Sequence, residues 1–141
     1  MATKTYDPAL LVVVVNGILM SGFAENSVVD VERINGMFSL QMGADGTSTR
    51  SKSNDKSGRI TLHLMQTSAS NDIMSLFALI DETIDSGGKF PVMIKDLGGR
   101  ALHSSDEAWV VGMPKSGNTN KAGAREWMIE TGNLDWFEGG N

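Results

Sequence analysis

The sequence contains no cysteine among its 141 residues. It can therefore form neither a disulfide framework nor a thiolate metal site, and the absence fits a reducing compartment. Positive charge is also in short supply, because 17 acidic residues outnumber 12 Lys and Arg residues and leave a net charge of −5. A dedicated nucleic-acid-binding protein needs Lys and Arg to displace counterions from phosphates, so the composition disfavours that class.

Long hydrophobic runs are absent, and no stretch reaches the length of a membrane span. The longest run, Leu10–Val15, is followed by Asn16-Gly17 and Ile18–Met20. Lys4 precedes it, as in a signal peptide, but Asp7-Pro8 interrupts the charged start and favours another interpretation. Asn-Gly is a preferred centre for a type I′ turn, so we predict a β-hairpin. Its first strand is apolar on both faces, which predicts burial on both sides, by packing or by a partner subunit.

Catalytic motifs are missing as well: the sequence has no nucleophile elbow, no phosphate-binding P-loop, no dinucleotide fingerprint and no H-E-x-x-H zinc motif. His63 and His103 stand alone in predicted strands, where a histidine is more often a polar-face residue than a metal ligand. Ser and Asp are plentiful, but nothing selects a triad among them. We predict a non-enzymatic protein with no catalytic residue, no metal and no cofactor.

Carboxylates alternate with other residues on two predicted strands, at Asp30 and Glu32 and at Glu126 and Glu130. Residues two apart share one strand face, so each pair lies on one side of its strand. A glycosidase normally takes its two carboxyl groups from separate strands or loops, which favours a solvated acidic face. A third interpretation is that this face lines a negatively charged channel.

Alternation of apolar and polar residues predicts strands along most of the chain. Pro91 cannot donate a ladder hydrogen bond, which predicts an edge position for its strand. We predict a single mainly β domain over residues 1–141, a β-sandwich or partly open barrel with one flanking helix. The predicted strands after the first hairpin are Ser27–Ile34, the half-buried Phe38–Gly43, Arg59–Thr67, Lys89–Lys95, Arg100–Ser104, Trp109–Met113, and a closing hairpin of Arg125–Thr131 with Leu134–Phe137.

One segment has helical periodicity, with apolar residues at spacings of three and four. Candidate N-caps are Ser68, Ser70 and Asn71, and Gly87-Gly88 supplies a stop signal. We expect the apolar stripe to pack on the outer face of the sheet and to supply core. The stripe consists of Ile73, Leu76, Phe77, Ile80 and Ile84.

A polar excursion, residues 44–57, separates two predicted strands and is far longer than a hairpin turn requires. It is either a disordered surface loop or a long hairpin arm that orders on a neighbouring subunit. A strand follows it, where a phosphate cradle would need a helix N-terminus. The candidate contact residues of the arm are Thr47, Ser48, Arg50, Lys52, Asn54, Asp55 and Lys56.

The segment Gly43–Asp72 resembles the central part of tail tube proteins from contractile-tailed bacteriophages. Shorter matches follow the same order along nearly the whole chain: "VNGI" (Val15–Ile18), "SGFAE" (Ser21–Glu25), "VERI" (Val31–Ile34), "EAW" (Glu107–Trp109) and "REW" (Arg125–Trp127).

This resemblance implies a β-sandwich or barrel with one flanking helix. It also implies that hexameric rings join their sheets into a continuous inner β-barrel, and that the rings stack into a hollow tube inside a contractile sheath. The tube conducts the genome without binding it specifically. Implied partners are further copies of the chain and the sheath, tape-measure, baseplate and tail-terminator proteins. The implied location is the virion, after assembly in the host cytoplasm.

Two adjacent hairpins are expected to line the lumen with acidic and polar side chains, because a wall that repels phosphate lets DNA slide. The lumen candidates are Asp30, Glu32, Ser39 and Gln41. Two alternatives stay open from the sequence. One is a tube protein of a related contractile injection or secretion system, and the other is a monomeric β-barrel that binds a small ligand.

Overall fold

The computed structural model describes residues 2–25, 27–84 and 88–140. Within them the chain forms ten strands and one α-helix, α1 (Ser70–Thr83), together with a short 3₁₀ turn at Pro8–Leu10. The strands are β1 (Leu11–Val15), β2 (Ile18–Leu19), β3 (Val29–Arg33), β4 (Phe38–Met42), β5 (Ser48–Lys52), β6 (Gly58–Met65), β7 (Phe90–Asp96), β8 (Leu102–Val110), β9 (Ala124–Thr131) and β10 (Asp135–Phe137).

Eight of these strands form one antiparallel sheet in the order β2-β1-β7-β8-β9-β6-β3, with β10 added beside β8. The first half of β8 pairs with β10 and its second half pairs with β9, so β8 passes between two regions of the sheet. The eight-stranded sheet, which we call the barrel, surrounds one core, with Trp127, Phe90 and Leu62 among its largest buried side chains. The mainly β fold with a single helix is as predicted.

The first hairpin confirms the turn chemistry of Asn16-Gly17. Both residues have positive φ, 52° and 78°, as a type I′ turn requires. In β1, Val13 and Val15 are fully buried, whereas Val12 and Val14 on the other face are only partly covered. The second apolar face of β1 is therefore available for a further contact.

The edge position predicted for the strand of Pro91 is wrong, because β7 lies between β1 and β8. The register of β7 against β8 shifts between Phe90 and Val92, so Pro91 sits at a bulge where no ladder donor is needed. Its carbonyl oxygen still accepts a hydrogen bond from the backbone N–H of Asn16, at 2.8 Å.

The closing hairpin is also paired differently from the prediction. The strand that follows Gly132-Asn133 is β10, and it pairs with β8 at Leu102–Ser104 and not with β9. The two predicted strands around Arg100–Ser104 and Trp109–Met113 are largely one strand, β8. Strand partners depend on contacts distant in sequence, which alternation alone does not identify.

Helix α1 forms where predicted, but its buried face is rotated relative to the predicted stripe. Met74 and Ala78 are buried, and Ile73 and Phe77 pack against the core from the side. Phe77 stacks on Phe90 with ring centroids 4.9 Å apart. Ile80 is half-buried.

Two members of the stripe are corrected: Leu76 is 57% exposed and Ile84 is 58% exposed. Ala78, a small residue, faces the core together with Met74, and the helix packs against the core along these two residues. The helix ends at Thr83, and Gly87 of the predicted stop lies outside the described residues. Its N-cap residue is Ala69, although Ser68 Oγ accepts a hydrogen bond from the backbone N–H of Ser70.

Candidate functional site

Strands β4 and β5 stand apart from the barrel as a two-stranded hairpin, which we call the arm (residues 37–53). A backbone hydrogen bond from the N–H of Ser53 to the carbonyl of Met37, 2.8 Å, closes its base. The arm therefore begins earlier than the predicted excursion, because β4 belongs to it. The strand predicted at Phe38–Gly43 forms as β4, but its predicted half-burial is wrong, since every residue of β4 is exposed.

One face of the arm is apolar and cationic. Phe38, Leu40 and Met42 alternate along β4 and are 44%, 70% and 61% exposed. In the β5 register Lys52 lies opposite Phe38 and Arg50 opposite Leu40, so both cations share this face. The Arg50 guanidinium sits over the Phe38 ring, 4.4 Å from its centroid. We call Phe38, Leu40 and Met42 the apolar row.

A tight turn holds the tip of the arm. Gly46 has φ of 87°, a conformation that favours glycine. The Asp45 carboxylate accepts a hydrogen bond from the backbone N–H of Thr47 at 3.0 Å, and this bond lowers the pKa of Asp45. Gly43 N–H donates to the Thr47 carbonyl at 2.7 Å. The tip is therefore an ordered turn within the hairpin.

The base of the arm is fastened by Asp55. Its carboxylate accepts hydrogen bonds from the backbone N–H of Ser57 at 2.8 Å and from the Asn35 side-chain amide at 2.6 Å. Hydrogen bonds from Ser57, followed by the one from Asn35, lower the pKa of Asp55 to about 2. Asp55 thus ties the segment that leaves the arm to the segment that enters it.

The predicted contact residues separate into two groups. Thr47, Ser48, Arg50 and Lys52 lie exposed on the tip and on β5. Asn54, Asp55 and Lys56 lie at the base, next to the barrel. The carbonyl of Lys56 accepts hydrogen bonds from the Arg33 side chain and from the backbone N–H of Leu134, so this part of the excursion belongs to the barrel.

A second polar surface lies on the solvent face of β3, β6 and β9, and we call it the carboxylate face. Arg59 on β6 bridges Glu32 on β3 at 3.3 Å and Glu130 on β9 at 3.2 Å. His63 lies four residues further along β6 than Arg59, and its Nε2 is 2.9 Å from the Asp30 carboxylate.

The other His63 nitrogen, Nδ1, is 3.6 Å from Glu126 on β9, so the carboxylate face joins the two predicted carboxylate pairs across three strands. Ser39 and Gln41 do not lie on it, because they are on the arm, on the side opposite the apolar row. The predicted grouping of these residues with Asp30 and Glu32 on adjacent strands is therefore wrong.

His103 is buried against Trp136, with an edge-to-face ring distance of 4.7 Å, and burial lowers its pKa. In the described part of the chain, no group of three or more His, Asp or Glu side chains is arranged to hold a metal ion. Within the same residues, no helix has the length and hydrophobicity needed to cross a bilayer.

Sequence reasoning missed the apolar row as a functional surface. Its alternating pattern is present in the sequence, but alternation does not distinguish a strand covered by its own core from one that projects into solvent. A small barrel that carries an exposed amphipathic hairpin has the features of a protein that builds assemblies, because exposed strand edges and apolar patches mark contacts with other chains.

Residues 14–139 match the family described as "Bacteriophage PhiTE tail tube protein", and the chain belongs to that family. It is 38% identical over 146 residues to "Structural protein ORF10" of Pseudomonas phage KPP10, an alignment that covers 99% of this chain and 84% of that protein. The chain is thus a structural tail tube protein and a component of the virion, which confirms the resemblance to tail tubes of contractile-tailed phages.

Solved structures share the fold at low sequence identity. The tube-terminating cap of the anti-feeding prophage has a TM-score of 0.61 at 11% identity, covering 97% of this chain and 94% of that one. The sheath–tube complex of the extracellular contractile injection system PVC also gives a TM-score of 0.61, at 13% identity, covering 94% and 91%.

Proposed function

We propose that this chain assembles into hexameric rings, that the rings stack into the hollow inner tube of a contractile phage tail, and that the genome passes through this tube to the host. Family membership supports the tube, and the resemblance supports the hexamer and the passage of DNA. The tube is assembled in the host cytoplasm. The phage tail is favoured over a secretion device because the matched family and the phage KPP10 relative are both phage proteins.

The observation that carries the assembly proposal is the apolar row of the arm. Three large apolar side chains are exposed together on a hairpin that forms a sheet separate from the eight-stranded one. Contiguous exposed apolar surface of this kind marks contact sites between proteins. Because a tube is built from many copies of its protein, we propose a second copy of the chain as the partner of this surface.

Sheath and terminator proteins are proposed partners, since solved structures of the same fold come from a sheath–tube complex and from a sheath/tube terminator. Tape-measure and baseplate proteins are proposed on the resemblance. For the lumen we propose the part of the carboxylate face that holds Asp30, Glu32 and Glu130, and Asp30 and Glu32 remain its candidates. This part carries three carboxylates against the single guanidinium of Arg59. Such a surface repels phosphate.

Size-exclusion chromatography with negative-stain electron microscopy tests the assembly. We expect the purified chain to form rings, and tubes at high concentration. A chain that stays monomeric across concentration and salt series would contradict the proposal and would favour a ligand-binding barrel.

An arm-deletion variant makes the test specific. Replacing residues 38–52 with Asn-Gly joins Met37 to Ser53, which a backbone hydrogen bond already holds together, so the barrel should fold. This design differs from removal of residues 44–57 alone, which would leave β4 without its strand partner. We expect the variant to keep its melting transition and to form no tubes. Tubes of normal length from this variant would show that the arm does not join copies.

A further inference from the structure

The arm and a large apolar groove lie at opposite ends of β6. The arm returns to the barrel just before Gly58, where β6 begins, and β6 ends at Met65. Its eight residues span about 26 Å at about 3.3 Å per residue. Met65 pairs with Ala124, so the start of β9 lies at the end of β6 that is remote from the arm.

The groove lies at this remote end, between β9 and the segment that follows β8. Its volume is about 590 Å³. Val111, Met113 and Met128 line it and are 50%, 51% and 38% exposed. A hydrogen bond from the backbone N–H of Val111 to the carbonyl of Met128, 3.0 Å, holds its two walls together. Three large apolar side chains thus face a preformed concave surface.

We propose that the arm of one copy docks in this groove of the next copy along the tube, with the apolar row against Val111, Met113 and Met128. This inference rests on the proposed function and names the surface that receives the arm. The row spans two steps of two residues, about 14 Å at about 3.4 Å per residue. An arm at one end and its groove at the other make a head-to-tail contact, which extends into an open array when its rotation does not close into a ring.

Both surfaces carry charges of both signs. Arg50 and Lys52 flank the apolar row, and Asp45 lies at the tip of the arm. The lining of the groove carries the Glu126 carboxylate, which is 70% exposed, together with the cations Lys115 and Arg125. In the docked arm we expect Glu126 to face Arg50 or Lys52, and Asp45 to face one of the two groove cations. Opposite charges at the rim of an apolar contact fix its register and suppress wrong pairings.

Disulfide trapping tests the contact directly, because the chain has no cysteine of its own. Two differently tagged variants, Leu40→Cys on the arm and Met113→Cys in the groove, are mixed as protomers, assembled into tubes and oxidised. We expect the mixed disulfide dimer. The matched control pairs Leu40→Cys with Leu79→Cys, which is 49% exposed on α1, against 51% for Met113. We expect at least tenfold more mixed dimer with Met113→Cys than with Leu79→Cys.

The outcomes separate this inference from the proposed function. If wild-type protein forms no tubes, the proposed function itself fails. Two results with assembled tubes would show that the groove does not receive the arm. One is that Leu40→Cys forms no mixed disulfide dimer with Met113→Cys. The other is that Leu40→Cys forms at least as much mixed dimer with Leu79→Cys as with Met113→Cys. If Met113→Cys does not assemble, Val111→Cys takes its place. In tubes of either groove variant without an arm cysteine, maleimide should react at least tenfold more slowly than with the protomer, and unchanged reactivity would overturn the inference.

Discussion

At the scale of single residues, Gly58 shows how closely the arm's return point is packed. A Cβ at this position would lie 3.0 Å from the Leu134 Cβ and 3.3 Å from the Glu32 carbonyl oxygen, and it would lie even closer to the Leu134 Cδ2. All three neighbours belong to ordered parts of the barrel, so little can move aside.

We therefore expect Gly58→Ala to lower the free energy of unfolding by about 1–3 kcal/mol through overpacking. Gly132→Ala is the matched control, because a Cβ at Gly132 meets nothing within 4 Å. Thermal or urea unfolding of the purified protomers measures both. Equal stability of the two variants would mean that the barrel relaxes around the added methyl group.

Asp55 gives a prediction about pH. Its pKa is about 2 in the folded chain and 3.8 without these contacts, so the clamp at the arm base is at full strength above about pH 4. It is lost as the pH falls through about 2. An NMR titration should show the Asn35 side-chain amide signals shifting with a midpoint near 2, and no such shift in Asp55→Asn. A midpoint near 3.8 would mean that the clamp does not form in solution.

At the scale of elements, fewer apolar side chains of α1 are buried than its sequence predicts. Met74 is fully buried, whereas Leu76 is mostly exposed. We expect Met74→Ala to cost about 2–5 kcal/mol of stability, and Leu76→Ala to change it by no more than about 0.5 kcal/mol. Chemical unfolding of the two variants compares them directly. A large loss in Leu76→Ala would place the helix in a different rotation.

The arm is the other element that yields a prediction. Its strands pair only with each other, and an isolated two-stranded hairpin is marginally stable in water. We expect the amides of the arm, residues 37–53, to exchange quickly in the free protomer and slowly in the tube, while those of β6 stay protected in both. Hydrogen exchange with mass spectrometry measures this difference. Equally fast exchange in the two states would identify the arm as a surface loop without an assembly role.

At the scale of the whole molecule, the carboxylate face bears on passage of the genome. Reversing charge with Asp30→Lys and Glu32→Lys would let the wall bind phosphate, so DNA release from phage that carry this variant should slow. Asp72→Lys with Glu82→Lys, on α1, is the matched reversal elsewhere. Ejection is followed by DNA fluorescence after tails are triggered. Unchanged release from intact tails would place Asp30 and Glu32 away from the lumen.

Local sequence signals predicted those features that depend on neighbours along the chain. Asn16-Gly17 predicted its hairpin because few other dipeptides accept two positive φ angles. The helical spacing after Ser70 predicted α1, and the polar composition of residues 44–57 predicted a segment outside the core.

Features that depend on distant contacts were not predictable in this way. Phe38 and Leu40 alternate like core residues, yet they are 44% and 70% exposed on a hairpin outside the eight-stranded sheet. Leu76 is as hydrophobic as its neighbours, and only the docking angle of the helix leaves it in solvent. The groove wall at Met113 comes from the end of a predicted strand, and it forms a concave surface only beside β9. Each of these outcomes depends on tertiary packing, which the alternation of apolar and polar residues along the sequence does not determine.

With the proposed contact, the placement of the arm and the groove at opposite ends of β6 gives a growing tube two chemically different tips. One tip presents free apolar rows, and the other presents empty grooves. Because the two tips offer different surfaces to an incoming subunit, we expect them to elongate at different rates, which gives growth a direction. A protein that halts growth needs only to imitate one of the two surfaces, and the surface it imitates decides which tip it seals.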